Sequence, residues 1–166
     1  MLLPLLINAQ DQSKKNNGIR FSVQAGASLD LKNSTGENLD KSMYSTNIRL
    51  GMNYFIIPEV SVGGGIGLEN FQNPVTTAYP LFFNANYYIF NARNTPFIYG
   101  SAGTLLKLNN NAQKGTMADL GVGYKFFAGD KICINVTIGY SHRNLKNLNI
   151  FEYKSNAISL GVGMIF

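Results

Sequence analysis

The chain has no tryptophan, one cysteine and one histidine among its 166 residues. Cys133 alone cannot close an intramolecular disulfide, so no covalent staple is available. Long apolar runs are missing too: none approaches the roughly 20 residues that a membrane-spanning helix needs. Charge is scarce, at 14% of residues against 45% hydrophobic, which is apolar for so small a water-soluble domain. The 14 Lys and Arg exceed the 9 Asp and Glu, but the excess of +5 is scattered along the chain. Nucleic-acid binding would want a basic stripe on one element, and without one no nucleic-acid partner is expected. A basic rim facing phosphorylated lipid headgroups is a better use of this charge. Nothing in the chain calls for a metal or any other cofactor.

What is plentiful is glycine (17 residues), phenylalanine (11) and tyrosine (9), set in a two-residue alternation. Ile19, Phe21, Val23, Ala25, Ala27, Leu29 and Leu31 share one face, and Arg20, Ser22, Gln24, Gly26, Ser28 and Asp30 the other. No helix produces such a period. A second strand, Tyr44 to Ile56, puts Ile48, Leu50, Met52 and Tyr54 outward and Arg49 and Asn53 inward. Ile57-Pro58-Glu59 is a tight turn, because proline pre-sets a turn dihedral and cannot donate to a ladder. The third strand, Val60 to Asn70, turns Ser61, Gly63, Gly65, Gly67 and Glu69 inward. The fourth, Thr77 to Asn91, shows Tyr79, Leu81, Phe83, Ala85, Tyr87 and Ile89 outside.

The fifth strand, Phe97 to Leu108, is apolar on both parities and its facing stays open. With Lys107 inward or snorkelling at the rim, Ile98, Gly100, Ala102, Thr104 and Leu106 face lipid. The sixth, Thr116 to Ala128, hides Asp119, Gly121, Gly123 and Lys125; Gly129-Asp130 then makes a tight hairpin turn. The seventh, Lys131 to Leu145, hides Cys133, Asn135, Thr137, Gly139 and Ser141. The last, Asn156 to Phe166, aligns Ile158, Leu160, Val162, Met164 and Phe166 on one face. Polar loops are expected at 32–42, 71–76, 109–115 and 146–153, alternating with the short turns.

Eight such strands predict an all-β fold, an eight-stranded antiparallel up-and-down transmembrane β-barrel. Each strand exceeds the 9–11 residues that cross a bilayer at a tilt. The short-turn side, which holds both termini, is expected in the periplasm of a Gram-negative bacterium. A water-soluble lipocalin-like barrel is the rival eight-stranded design, with its apolar residues inside. Arg20, Arg49, Glu69 and Lys125 on the polar face are too many charges for a dry ligand cavity. Residues 1–9 read as a signal-peptide remnant, with a short apolar core and a small residue, Ala9, where cleavage fits. Its basic leading region is missing, which suggests a start further upstream; an ordinary apolar N-terminal segment is the alternative. Residues 10–17 are expected to be a flexible periplasmic lead-in, and 18–166 the barrel.

The run Tyr79-Pro80-Leu81-Phe82-Phe83-Asn84-Ala85-Asn86-Tyr87-Tyr88, the restart Thr95-Pro96-Phe97-Ile98-Tyr99-Gly100 and the ending Gly161-Val162-Gly163-Met164-Ile165-Phe166 carry a resemblance. Over residues 18–166 the chain resembles the small outer-membrane β-barrel family common in Bacteroidetes, related in architecture to the OmpA and OmpX barrels. The resemblance implies an outer-membrane address and a terminal Phe166 that belongs to the signal read by the barrel-assembly machinery. Longer relatives carry a periplasmic peptidoglycan-binding domain, and by this resemblance the chain is expected to consist of the barrel without one.

Few constellations suggest chemistry. Gly63-Gly64-Gly65-Ile66-Gly67 lacks the strand–loop–helix setting of a phosphate cradle, and such glycines relieve crowding in a narrow barrel. Tyr140-Ser141-His142-Arg143-Asn144 is similar in placement to the His-x-Ser pair of outer-membrane lipid A deacylases, but Asn144 stands where the serine belongs. Ser141 lies on the opposite strand face from His142, Glu152 is the candidate to orient that histidine, and the plain reading is an interfacial histidine beside a girdle tyrosine. Asn33-Ser34-Thr35 and Asn135-Val136-Thr137 match glycosylation sequons, as chance allows in an Asn-rich chain. Arg49, Glu69, Asp119 and Lys125 form the candidate site, a lumen charge network, because charges in so narrow a bore must pair. They act either as a structural plug or as a gate whose pairs exchange.

The expected role is therefore structural or surface-interactive: a monomer that presents four outer loops and has outer-membrane lipid, lipopolysaccharide and the assembly machinery as partners. A narrow pore or solute-binding barrel and a lipid A-modifying enzyme are the alternatives.

Overall fold

The computed structural model describes residues 16–33, 44–72, 75–108, 114–128, 132–146 and 152–166. Eight strands occupy them: β1 (Gly18–Asn33), β2 (Tyr44–Ile57), β3 (Val60–Gln72), β4 (Thr76–Tyr88), β5 (Thr95–Leu106), β6 (Lys114–Phe127), β7 (Cys133–Lys146) and β8 (Glu152–Ile165). Each pairs antiparallel with the next, and β1 pairs with β8, so the sheet closes into a barrel. The seam runs from Ser22 opposite Ile165 to Asn33 opposite Ser155, with one irregularity between Asp30 and Lys32. Phe166 adds a last pair of backbone bonds to Phe21, at 2.9 and 3.3 Å. The signal remnant expected at 1–9, and the lead-in up to residue 15, lie outside the described residues.

The two faces of this sheet are inverted relative to a water-soluble barrel. Ile48, Leu50, Met52, Leu120, Ile138, Leu160 and Val162 are all exposed, and Phe83 keeps 79% of its surface open. Ser61, Glu69, Thr95, Asp119, Lys125, Ser141 and Arg143 are buried inside. A lipocalin-like interior is thereby excluded. The same contrast settles β5: Ile98 and Leu106 are exposed, whereas Phe97 and Leu105 are buried. The inward apolar side chains of β5 join two separate clusters, Phe97 with Phe55 and Tyr88 and Leu105 with Phe71 and Met117, which parity alone does not reveal.

Several boundaries differ from expectation. Half of residues 71–76 is strand rather than loop: Phe71 pairs with Thr76, and only residues 73–75 connect β3 to β4. The β4–β5 connection, 89–94, is longer, so long and short connections do not alternate strictly. β5 begins at Thr95 and ends at Leu106, and β8 begins at Glu152, opposite Lys146. Polar residues near strand ends look like loop in sequence, but a neighbouring strand that offers a ladder keeps them extended. Connections 58–59, 89–94 and 128–132 share the terminal end of the barrel with both chain ends. Connections 34–43, 73–75, 107–113 and 147–151 share the opposite, far end.

Glycines inside strands make room for aromatic side chains that reach into the bore from other strands. The Phe97 ring lies across Gly123, Tyr99 lies across Gly121 and Gly139, and Phe82 reaches over Gly65. A methyl group on Gly65 would stand 2.8 Å from the Phe82 ring, too close to be tolerated without movement. By contrast, the nearest atom to a methyl on lipid-facing Gly100 is 3.8 Å away. Gly123→Val should therefore destabilise the barrel by about 1–3 kcal/mol, while Gly100→Val should not. Urea titration read by the mobility of unboiled samples on gels checks this; equal midpoints for the two variants would refute it.

Candidate functional site

Eight strands enclose a bore just wide enough for side chains to fill. In this chain the inward positions sort into layers along the axis. Toward the far end, Arg143 Nη1 stands 2.6 Å from Asp119 Oδ1, and its Nε stands 3.1 Å from Glu69 Oε2. Arg49 Nη1 lies 2.9 Å from the other Asp119 oxygen. Ser101 donates to Asp119 at 3.0 Å, and Ser45 donates to Glu69 at 3.2 Å. The Arg143, Glu69 and Asp119 side chains are 1–2% exposed and Arg49 is 13% exposed. Two guanidiniums balance two carboxylates, which is what removal from water demands. The planar fork of Arg143 suits it to bridge two acids at once.

Beyond this cluster the lumen turns apolar. Phe71, Ala78, Phe82, Leu105, Met117 and Leu145 pack together, all buried. Phe82 also meets the charges: Arg49 sits over its ring, 5.6 Å from the centroid. On the terminal side of the charges, Gln24 donates to Thr137 at 2.9 Å, Asn84 donates to Asn53 at 2.8 Å and Asn86 donates to Ser61 at 3.1 Å. A polar cavity of about 70 Å³ lies here, and Asn53, Asn84, Asn135, Arg49 and Tyr99 contribute to its wall. A second, of about 20 Å³, reaches Asp119 and Ser141. Spaces of this size hold a few waters rather than a drug-sized ligand. Arg49 Nε, Asn84 Oδ1 and Asn135 Oδ1 are buried without a protein partner in the wall of the larger one, which suits water.

The terminal end carries an aromatic layer. Ring centroids of Phe55 and Tyr88, and of Tyr88 and Phe97, are each 5.4 Å apart, and Tyr99 joins at 6.2 Å from Phe97. Lys125 extends over Tyr88, 4.9 Å from the ring centroid, and donates to Asn16 Oδ1 at 2.5 Å. Asn16 in turn donates to the Pro58 carbonyl at 3.1 Å. Gly18, at φ 66°, supplies the left-handed bend between Asn16 and β1.

Of the four expected network residues, Arg49, Glu69 and Asp119 meet in one cluster. Lys125 does not join them: it stands at the other end of the bore with Tyr88 and Asn16. The residue that joins Glu69 to Asp119 is Arg143, which the sequence reading left beside His142 in the outer motif. Its signal was present, since Arg143 continues the inward parity of Cys133, Asn135, Thr137, Gly139 and Ser141. A charge two residues from a strand's end reads as rim, and only the length of β7 carries it inside. His142 faces outward, with Nδ1 2.8 Å from Asn156 Oδ1, and Tyr140 donates to the same oxygen at 2.6 Å. Ser141 is buried on the opposite face. Glu152 pairs in the ladder with Lys146, whereas His142 pairs with Asn156.

Arg143→Ala should cost about 3–5 kcal/mol, because it strands a buried carboxylate at Glu69. Arg143→Met/Glu69→Leu should recover most of that loss, since the Arg49–Asp119 pair remains balanced. Urea midpoints of the refolded barrel compare the two, and a double variant as weak as the single one would contradict this account.

Comparison with solved structures places the fold among outer-membrane barrels. Neisserial surface protein A superposes with a TM-score of 0.55 at 14% identity, covering 89% of this chain and 96% of that one. OprG of Pseudomonas aeruginosa gives 0.50 at 14% identity, covering 93% and 98%. No curated protein matches the chain closely enough to count as a relative. The family model for the outer membrane protein beta-barrel domain matches residues 10–166, and the chain belongs to that family.

Proposed function

We propose that this outer-membrane barrel is closed to solutes and works at its surface, with the far-end connections 34–43, 73–75, 107–113 and 147–151 outside the cell. The observation that carries this reading is Arg143, bound to Glu69 and Asp119 beneath the Phe71–Leu105–Met117–Leu145 cluster. An ion would have to part a buried, balanced ion cluster and then cross an apolar layer, and both steps are costly. Binding residues concentrate on connections held by a rigid scaffold, and closed pairing of all eight strands supplies the scaffold. The termini and the short 58–59 turn then lie in the periplasm of a Gram-negative cell, as even-stranded barrels arrange them.

A narrow pore is the second reading, and the 70 Å³ polar cavity beside Arg49 is what favours it. Planar-bilayer recording separates the two. Wild-type protein is expected to give no unitary steps, and Phe71→Ala/Leu105→Ala, which thins the apolar layer, is expected to admit small ones. Reproducible wild-type steps that Arg49→Ala alters would establish the pore instead.

Phe166 is exposed at the seam, with its backbone tied to Phe21. In the proposed role it presents the end of the chain to the assembly machinery. Phe166→Ala should lower the folded fraction in outer membranes several-fold while leaving refolding into detergent unchanged. An equal loss in both settings would make its role purely structural.

A further inference from the structure

We infer that the outer face of β6, β7 and β8 near the far end is a docking surface for a phosphorylated glycolipid headgroup of the surrounding leaflet. This rests on the orientation proposed above, with the far end outside the cell. The strand charges Arg20, Asp30, Arg49, Glu69, Asp119, Lys125 and Arg143, all among the described side chains, follow the inward parity. Among the described side chains, only Lys114 and Lys154 place a charge on the outer face of a strand. Both are exposed and both are at the far end, on the two strands that flank β7.

The register gathers polar partners between them. Thr116 stands opposite Asn144, and Asn144 stands opposite Lys154 on its other side. One step down the ladder, His142 stands opposite Asn156. Directly opposed residues hold their Cβ atoms roughly 5 Å apart, so these side chains make one continuous polar surface. Below it comes Tyr140, opposite Ile158, and then the exposed aliphatic run of Ile138, Val136 and Ile134. An aromatic ring between an aliphatic band and polar residues marks the height where hydrocarbon gives way to headgroups. Tyr140 is fixed there by its bond to Asn156, which His142 shares.

Elsewhere the band climbs higher. On β1 the outer face stays apolar through Leu29 and Leu31, both exposed. A second outer polar row at the far end, Thr46, Asn70 and Thr77 across β2, β3 and β4, carries no charge. Among the described side chains, two ammonium groups at headgroup level therefore mark the β6–β8 side alone. Lysine stems can lie along the apolar band while their charges reach up to that level. An anionic phosphate is the counter-charge at this depth, and Thr116 and Asn144 add neutral donor groups beside the two lysines. A zwitterionic phospholipid fits less well, because it carries its own cation beside its phosphate. A phosphate monoester on a sugar headgroup carries none.

The test uses the intact barrel in detergent micelles, titrated with diphosphorylated lipid A and with its dephosphorylated form, and read by native mass spectrometry. Each lysine near an anionic lipid surface strengthens attachment roughly fivefold. Lys114→Gln and Lys154→Gln should each weaken binding of the phosphorylated lipid by about that factor, and the double variant by about 25-fold. Arg93→Gln, which removes one charge at the terminal end, should leave binding unchanged, and the dephosphorylated lipid should bind all forms equally weakly. Equal binding of the phosphorylated lipid by wild type and double variant, or a fall of the same size in Arg93→Gln, would overturn the inference. An unchanged gel mobility shift in the double variant shows that the barrel is intact. Orientation is tested separately, by protease access to a cleavage site inserted at residues 34–43 in whole cells. Protection there would overturn the orientation, and with it the leaflet assigned to the lipid, whatever the micelle result.

Discussion

The pairing of β1 with β8, from Ser22–Ile165 to Asn33–Ser155, is the contact that everything else in this barrel presupposes. Hydrocarbon offers no hydrogen bond to a peptide group, and each unpaired N–H or C=O within it costs several kcal/mol. A sheet with two free edges would expose two such rows to lipid. Closing the seam removes both at once. The cost of closure is geometric: every second residue of eight strands is forced into one narrow bore, whatever its chemistry. Glycines at 65, 121, 123 and 139 are a direct consequence, since the rings of Phe82, Tyr99 and Phe97 have nowhere else to lie.

The bore explains the charges as well. Outward positions belong to lipid, so a strand charge must either face inward or reach the headgroups at the rim. Inward charges must then neutralise one another, because two partners in a bore without bulk water have no other means of offsetting lost hydration. Arg49, Arg143, Glu69 and Asp119 satisfy that condition as a set of four, with Arg143 bridging both carboxylates. Their arrangement also separates a polar, hydratable middle from an apolar far end. Lys125 meets the same demand differently, over the Tyr88 ring and against Asn16. That solution works where the lumen mouth is close and the chain itself bends over the opening at Gly18.

Much of this was legible in the residues. The alternation from Ile19 to Leu31, repeated seven times, identified the fold class, the strand count and the outward face. Arg49, Glu69 and Asp119 were recognisable as lumen charges because each interrupts an inward row of small or polar residues. What escaped reading lies at strand ends. Arg143 sits beside His142 in a segment that resembles a rim motif, which masks its inward parity. Phe71 and Thr76 read as loop in sequence, since polar Gln72 and Asn73 lie between them. Parity alone places Lys125 with the cluster, because it reports the face of a sheet but not the height along the bore.

By itself, then, the sequence determined a closed antiparallel barrel with lipid outside and polar side chains within, because a two-residue period is a local property that each strand carries alone. Which inward residues touch was decided only by the tertiary structure. The stagger of eight strands around a closed sheet sets the height of every side chain, and that stagger exists only once β8 has met β1. Register brings Glu69 of β3 and Asp119 of β6 to the same arginine on β7, residues 74 and 24 positions away from it along the chain. No local pattern encodes such a meeting, since it depends on how far each strand slides against its neighbours before the ring can close.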